Sequence, residues 1–379
     1  MNIVIAPDSF KGSVSAMEAA VAMEKGIKKC LPDAQTFLVP VADGGEGTMD
    51  SLVAATKGQK MEVTVVGPLH TQVKAEYGVL GDGKTCVIEM ASASGLTLVP
   101  ADLRNPMMTT TFGTGQLIKK ALDEGYRQFI LAIGGSATND GGIGMLQALG
   151  LQLLDSTGKP VGFGGAEVQR IAVIDDSTWD TRIAEATFVI ASDVQNPLIG
   201  PNGASRVFGP QKGATPEMVE LLDRHLNHWA DLVEAKTGVR LHDRPGAGAA
   251  GGIGGAFQAF FPAAMERGID IVIRYTGLRE VLQKADLVFT GEGQIDFQTA
   301  SGKTPMGVAQ EAQKAGIPTF VLAGSIGQGI EELYQYGIQS IHSIVNGPMT
   351  LEEAMERAPE LLAQKAEQVL RTYLAKGRK

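Results

Sequence analysis

The chain opens with an apolar run, Asn2 to Ala6, then a Pro7-Asp8-Ser9 turn, a helical stretch and a second apolar run from Thr36 to Val41. This order constrains the fold most, because parallel neighbours in a sheet need a crossover of a dozen or more residues and a helix supplies it. The helix is marked by Ser15 and Glu18 at capping-box spacing, by an apolar stripe at Ala16, Ala20, Met23 and Ile27, and by Pro32-Asp33 at its end. The same alternation returns late in the chain: strand Leu287 to Thr290, helix Pro305 to Ala315, strand Thr319 to Ala323, helix Glu331 to Tyr336, strand Ser340 to Val345. A final helix from Leu351 to Lys376 is expected to kink at Pro359.

Between these blocks the pattern changes. Strands at Glu62 to Val66, Ala75 to Leu80 and Val87 to Met90 precede any clear helix. With 379 residues the chain exceeds the roughly 250–300 that one core organises. The reading is two α/β domains: a parallel-sheet, Rossmann/flavodoxin-like domain built from 1–60 and 285–379, and an inserted mixed α/β domain over 61–284.

Composition narrows the function. A 44% hydrophobic and 20% charged chain is an ordinary globular one, and no stretch approaches the ~18 apolar residues of a membrane helix. The start, Met1 to Asp8, has neither the basic leader nor the apolar core of a signal peptide, so a cytoplasmic location is expected. A net charge of -9 speaks against a nucleic-acid partner. Cys30 and Cys86 are too few for a disulfide framework or a metal clip and read as core thiols.

Glycine, at 48 residues, is nearly twice its usual share of about 7%, and it clusters in short runs. The fullest cluster joins the apolar run Phe129 to Ile133 to a helix around Met145 to Leu149 through Gly134-Gly135-Ser136-Ala137-Thr138-Asn139-Asp140-Gly141-Gly142. A strand, glycine loop and helix aim backbone N–H groups and hydroxyls at one spot, as a phosphate requires. Gly134, Gly135, Ser136, Thr138 and Asn139 are therefore candidate nucleotide-phosphate ligands, although a tight capped turn needs glycine equally.

Acidic residues close several strands: Asp8; Asp43 and Glu46 in Ala42 to Thr48; Asp193; and Glu292 and Asp296 in the loop expected after Thr290. Strand carboxyl ends are where α/β proteins place ligands, and phosphoryl transfer needs carboxylates to hold Mg²⁺ and orient a hydroxyl. Cationic candidates for an anionic substrate are Lys11, Arg206 and Lys212.

Two motifs are set aside. Ser301-Gly302-Lys303-Thr304 ends like a P-loop, but position 297 is Phe where glycine is required. It reads as a helix entry, with Lys303 beside it as a candidate phosphate ligand. Gly246-Ala247-Gly248-Ala249-Ala250-Gly251 fits a dinucleotide fingerprint, yet His242-Asp243-Arg244-Pro245 before it is no strand. His225 and His228, three apart on a helix expected over Pro216 to Glu234, read as surface or capping residues.

Several long segments together resemble the type-I glycerate kinases: Ile5 to Lys11, Val41 to Thr48, Gly134 to Gly142, Asn202 to Arg206 with Phe208 to Gly213, Pro245 to Gly252, and Thr290 to Gly293. They occur in that family's order over essentially the whole chain, with departures at Phe10 and Gly12. The resemblance implies ATP-dependent phosphorylation of D-glycerate in sugar-acid or glyoxylate breakdown. The product would be 2-phosphoglycerate, with 3-phosphoglycerate the other regiochemistry, and the active site would lie in a cleft between two α/β domains. ATP and Mg²⁺ are the expected cofactors and glycerate the small-molecule partner, and a homodimer is one assembly open to it. The chemistry then suggests roles: Asp193 as the base, with Lys11 beside it at the reacting groups; Asp43, Asp296 and Glu292 for Mg²⁺; Asp8, Ser9, Arg206 and Lys212 for substrate. The rival reading is a non-catalytic protein that binds a phosphorylated anion.

Overall fold

The computed structural model describes residues 1–297, 299 and 304–375. Its strands in chain order are β1 Asn2–Ile5, β2 Gln35–Leu38, β3 Gln59–Val66, β4 Gln72–Val79, β5 Thr85–Glu89, β6 Gln128–Ala132, β7 Gln152–Leu154, β8 Val173–Asp175, β9 Thr187–Ala191, β10 Ala263–Glu266, β11 Leu287–Ile295, β12 Thr319–Ile326 and β13 Ile338–Ser343. The chain divides into two compact units, Met1–Asp43 with Asp50–Thr56 and Arg267–Lys379, and Gly44–Met49 with Lys57–Glu266.

The first unit is built on an all-parallel sheet of order β13-β12-β11-β1-β2. Its inner strand β1 carries Ile3, Val4 and Ile5, all fully buried, each contributing roughly 1.5–3 kcal/mol over an exposed side chain. The helix Ala16–Cys30 starts at the expected capping box: the Ser15 hydroxyl accepts the Glu18 N–H at 3.2 Å, and the Ser15 N–H donates to Glu18 Oε2 at 2.8 Å. Its apolar face, including Ala20, Met23 and Ile27, joins one cluster with Leu361, Leu362 and Leu370 of the C-terminal helix.

That C-terminal segment is two helices, Leu351–Glu356 and Ala358–Ala375, rather than one kinked helix. The break falls at Arg357, and Pro359 sits in the first turn of the second helix, where a missing N–H costs nothing. Strand β11 also departs from expectation. It continues through Gly291 and Glu292 to Ile295, in register with β12 as far as Ile295 opposite Ile326, so Glu292 stands on a strand and not in a loop. The chain re-enters the first unit at Arg267 rather than near 285. The helix Gly268–Thr276 belongs to this unit because Ile269 packs against Gly307 of the helix Thr304–Lys314, where a Cβ would come within 2.4 Å of Ile269 Cγ1.

The second unit is mixed, with a sheet of order β10-β9-β6-β5-β4-β3. Strands β3, β4 and β5 pair antiparallel, while β5, β6, β9 and β10 are parallel. Phe129 on β6 stacks on Phe188 of β9 with ring centroids 4.8 Å apart, and Phe188 meets Phe261 edge-on at 5.0 Å. The helix Pro216–Thr237 begins at a Thr215 cap and ends at Gly238 in the left-handed region. On it, a ring nitrogen of His225 lies 2.9 Å from the Gly165 carbonyl and one of His228 lies 2.7 Å from that of Ile171, so both histidines tie the helix to neighbouring backbone. Cys86 is buried in the core, where burial pushes its thiol up, and Cys30 is half-buried. No helix among the described residues is long and apolar enough to cross a membrane.

Candidate functional site

In the second unit the parallel strands β5, β6, β9 and β10 end on one edge of the sheet. The loop 134–142 follows β6 there. Its first half is tied to the segment around Ser94: the Leu96 N–H donates to the Gly135 carbonyl at 2.8 Å, and the Ala137 N–H to the Ser94 carbonyl at 3.0 Å. Its second half is held by Asp140, which is fully buried. Oδ2 of Asp140 accepts the Thr111 N–H at 2.9 Å and the Thr111 hydroxyl at 2.8 Å, and Oδ1 accepts the Gly142 N–H at 3.0 Å. Burial pushes the Asp140 carboxyl up, against these donors and a further one from the Gly144 N–H.

The following helix, Ile143–Ala148, is short, and the N–H groups at its start are already used. Those of Gly142 and Gly144 go to Asp140, and that of Met145 to the Thr111 hydroxyl at 2.9 Å. What the loop leaves for an anion is its front. Among the described residues, no protein acceptor meets the N–H groups of Gly134, Gly135 or Ser136. Thr138 and Asn139 are fully buried, and among the described residues Thr138 Oγ1 and Asn139 Oδ1 have no hydrogen-bond partner, while Asn139 Nδ2 donates to the Ser205 hydroxyl at 2.8 Å. Native interiors leave few polar atoms unmet, so this donor-rich loop fits the phosphates of a nucleotide.

Lys212 ends the turn Pro210–Lys212, and its side chain is buried in the same loop. Its Nζ donates to the Ser136 hydroxyl at 2.8 Å and to the Thr138 carbonyl at 2.6 Å. Burial drives this ammonium down to about 7, opposed by the charge of Asp140. The glycine run at 246 lies against the loop as well. The Gly141 N–H donates to the Gly251 carbonyl at 2.9 Å, and at Gly251 (φ +68°) a Cβ would sit 2.0 Å from the Thr138 carbonyl oxygen. The run's glycines are thus required by close packing, which accounts for the apparent dinucleotide fingerprint.

Asp193 lies just past the carboxyl end of β9, half-buried, on the sheet edge from which the glycine loop also springs. Glu89 ends β5, is buried, and accepts the Met49 N–H at 2.7 Å. Arg206 is spent elsewhere. Its guanidinium pairs with both carboxylate oxygens of Glu220, one at 2.8 Å, and lies 3.6 Å from Asp223 on the helix Pro216–Thr237, which occupies the fork a substrate carboxylate would need.

In the first unit the acidic residues gather at the carboxyl end of the parallel sheet. The Asp8 N–H donates to the Gly291 carbonyl at 2.8 Å, continuing the β1–β11 pairing. The Asp8 carboxylate is almost wholly buried; Oδ1 accepts the Ser9 N–H at 2.6 Å and Oδ2 the Thr304 hydroxyl at 2.5 Å. Burial first, and then the charge of Asp43, push it up to about 6, while the Thr304 and Ser9 hydrogen bonds and the charge of Lys11 pull down. Oε1 of Glu292 accepts the Thr299 hydroxyl at 3.1 Å, and the Asp296 N–H donates to the same hydroxyl at 3.3 Å. Lys303, with Ser301 and Gly302, lies outside the described residues.

Among the described residues, no group of three or more His, Cys, Asp and Glu side chains is placed to hold a metal ion. Mg²⁺ in phosphoryl transfer is commonly bound by one or two carboxylates together with substrate phosphates, and the strand-end carboxylates Asp43, Glu292 and Asp296 have the donor chemistry for that. The sequence overlooked three contributors: Asp140 as the loop's inner anchor, Thr111 bridging it to the next helix, and the Thr304 hydroxyl on Asp8. The run Thr109-Thr110-Thr111, all buried, was the visible signal for the second.

The model of the glycerate kinase family matches residues 3–374. A Bacillus subtilis (strain 168) protein named glycerate kinase is 52% identical over 369 residues, covering 97% of each chain. An Escherichia coli K12 protein named glycerate 2-kinase is 48% identical over 372 residues, covering 98% of each. A crystal structure from Salmonella typhimurium LT2, assigned as glycerate kinase 2, superposes with a TM-score of 0.89 at 47% identity over 100% of both chains. The chain belongs to the glycerate kinase family.

Proposed function

We propose that the protein transfers the γ-phosphoryl group of ATP to the 2-hydroxyl of D-glycerate, releasing ADP and 2-phosphoglycerate, in the breakdown of sugar acids or glyoxylate. The observation that carries the ATP reading is the loop after β6, whose N–H groups at Gly134, Gly135 and Ser136 meet no acceptor among the described residues and are backed by the buried Lys212 ammonium. These groups, with Thr138 and Asn139, bind the nucleotide's phosphates, and Lys303 adds a cation.

Asp193 accepts the proton of the attacking hydroxyl as its oxygen bonds to phosphorus and the bond from the γ-phosphorus to the bridging oxygen breaks. Asp8 and Ser9 orient glycerate by accepting from and donating to its polar groups, and Lys11 neutralises charge on the transferring group. Arg206 is left out, because its donors already serve Glu220. Asp43, Glu292 and Asp296 hold Mg²⁺, which when bound offsets the negative charge of the phosphates.

The test is a coupled assay for ADP release with D-glycerate, with and without Mg²⁺, followed by phosphorus NMR of the product. Glycerate-dependent ADP and a 2-phosphate resonance are expected; ADP release that ignores glycerate would leave an anion-binding protein instead. Asp193→Asn should lower turnover by about 100-fold or more at saturating substrates. A loss within threefold removes Asp193 from the role of base.

A further inference from the structure

Lys212 is read from the sequence as a substrate ligand, but the structure gives its ammonium another task. The side chain is 2% exposed and two of its three donors are committed to the Ser136 hydroxyl and the Thr138 carbonyl, 76 and 74 residues away in the chain. Both acceptors belong to the loop whose Gly134, Gly135 and Ser136 N–H groups meet no protein acceptor among the described residues. We propose that Lys212 is a positioning residue for the nucleotide: from inside the loop it fixes Ser136 and Thr138 and sets a positive charge behind the N–H groups of Gly134 to Ser136, without touching glycerate.

The loop is pinned at two points of opposite sign. Asp140 draws in the N–H groups of Thr111, Gly142 and Gly144, and Lys212 draws in an oxygen of Ser136 and one of Thr138. Between them the backbone from Ser136 to Gly142 has little freedom, which is the preorganisation that an anion site needs. Asp140 on the loop raises the affinity of Lys212 for a proton, and Arg104 lies beside the adjoining Gly213, where a Cβ would come 2.2 Å from the Arg104 carbonyl oxygen. A buried ammonium with one counter-charge holds its proton weakly near neutrality, and a polyphosphate brought to the front of the loop strengthens that hold.

This inference rests on the nucleotide reading of the loop, and its test separates the two. The full chain is titrated with ATP in the presence of Mg²⁺ by calorimetry at pH 7.5, in two buffers of different ionisation enthalpy. Steady-state KM for ATP is measured from pH 6 to 9.5 at saturating D-glycerate. In the wild type, net proton uptake on ATP binding and a KM for ATP that rises several-fold above about pH 7 are expected. K212M should raise KM for ATP about tenfold or more at pH 6.5, flatten its pH dependence, abolish the proton uptake and leave KM for D-glycerate within twofold. K212R, charged throughout, should keep the low KM while losing the pH dependence. S136A should raise KM for ATP less than K212M and keep the inflection, so it reports on the loop even if K212M fails to fold.

The proposal is overturned if K212M or K212R keeps the wild-type pH profile, or if the loss falls on KM for D-glycerate. ATP binding with proton uptake but no glycerate-dependent ADP would sink the proposed reaction and leave the role of Lys212 standing.

Discussion

Replacing Asp140 by Asn tests whether the glycine loop is held by buried opposite charges or merely by backbone geometry. The wild-type carboxylate accepts from Thr111 twice and from Gly142, with Gly144 as a further donor, all in a fully buried setting. Asn keeps the shape but has one acceptor oxygen. If that oxygen stays with Thr111, the new NH₂ faces the N–H groups of Gly142 and Gly144, and each buried donor left unmet costs about 1–3 kcal/mol. Lys212 also loses the carboxylate charge that raises its proton affinity. A total loss of about 3–5 kcal/mol is expected, the range for breaking a buried charge pair by removing one member.

The pH dependence gives the sign. Lys212 is driven down to about 7 in the folded protein from an ordinary value of 10.5, so between these pH values the unfolded chain binds more protons and stability rises with pH. Without Asp140 the folded-state value falls further, and the extra penalty of keeping a charged ammonium grows as pH drops through 7. Urea denaturation of wild type and D140N at pH 6 and pH 9, with an unchanged slope, should therefore show the larger loss at pH 6. The double variant D140N/K212M should recover part of that loss, because no uncompensated charge is then buried. A D140N cost under 1 kcal/mol, or one equal at both pH values, refutes the electrostatic account.

Three other expectations follow from particular contacts. Gly251→Ala drives a Cβ against the Thr138 carbonyl at a left-handed backbone position, and should cost roughly 2 kcal/mol or more in denaturant unfolding while raising KM for ATP above that for glycerate. Thr304→Val removes a hydrogen bond that pulls Asp8 down, so the acid limb of kcat/KM, expected near pH 6, should move to higher pH; a limb that stays in place dissociates Asp8 from that ionisation. Arg206→Ala, which breaks a solvent-screened surface ion pair, should leave the urea unfolding midpoint close to wild type and KM for D-glycerate within twofold. A tenfold rise there would return Arg206 to the substrate.

How far the sequence could be read depended on how local the cause was. The helix Ala16–Cys30 was legible from both ends because its cap, stripe and terminator all lie within about twenty residues. The parallel sheet followed from alternation alone, and so did the separate character of the middle of the chain. Strand β11 was cut short because Gly291 and Gly293 read as loop, whereas its length is set by pairing with β12 up to Ile326. The loop 134–142 was visible as a glycine cluster, but its inner support was not. Lys212 stands amid glycines and suggests a ligand, and only the acceptors at Ser136 and Thr138, more than seventy residues upstream, show that it turns inward. For Arg206 too the partner is non-local, since Glu220, fourteen residues on, pairs with its guanidinium. Glycine runs in this chain therefore carry two meanings that spacing cannot separate: the N–H groups of Gly134 and Gly135 meet no acceptor among the described residues, while Gly251 lets one loop lie against the Thr138 carbonyl of another. Substitution separates them. An alanine at Gly251 should cost stability first, whereas K212M, which takes the charge from behind the Gly134 and Gly135 N–H groups, should cost ATP affinity first.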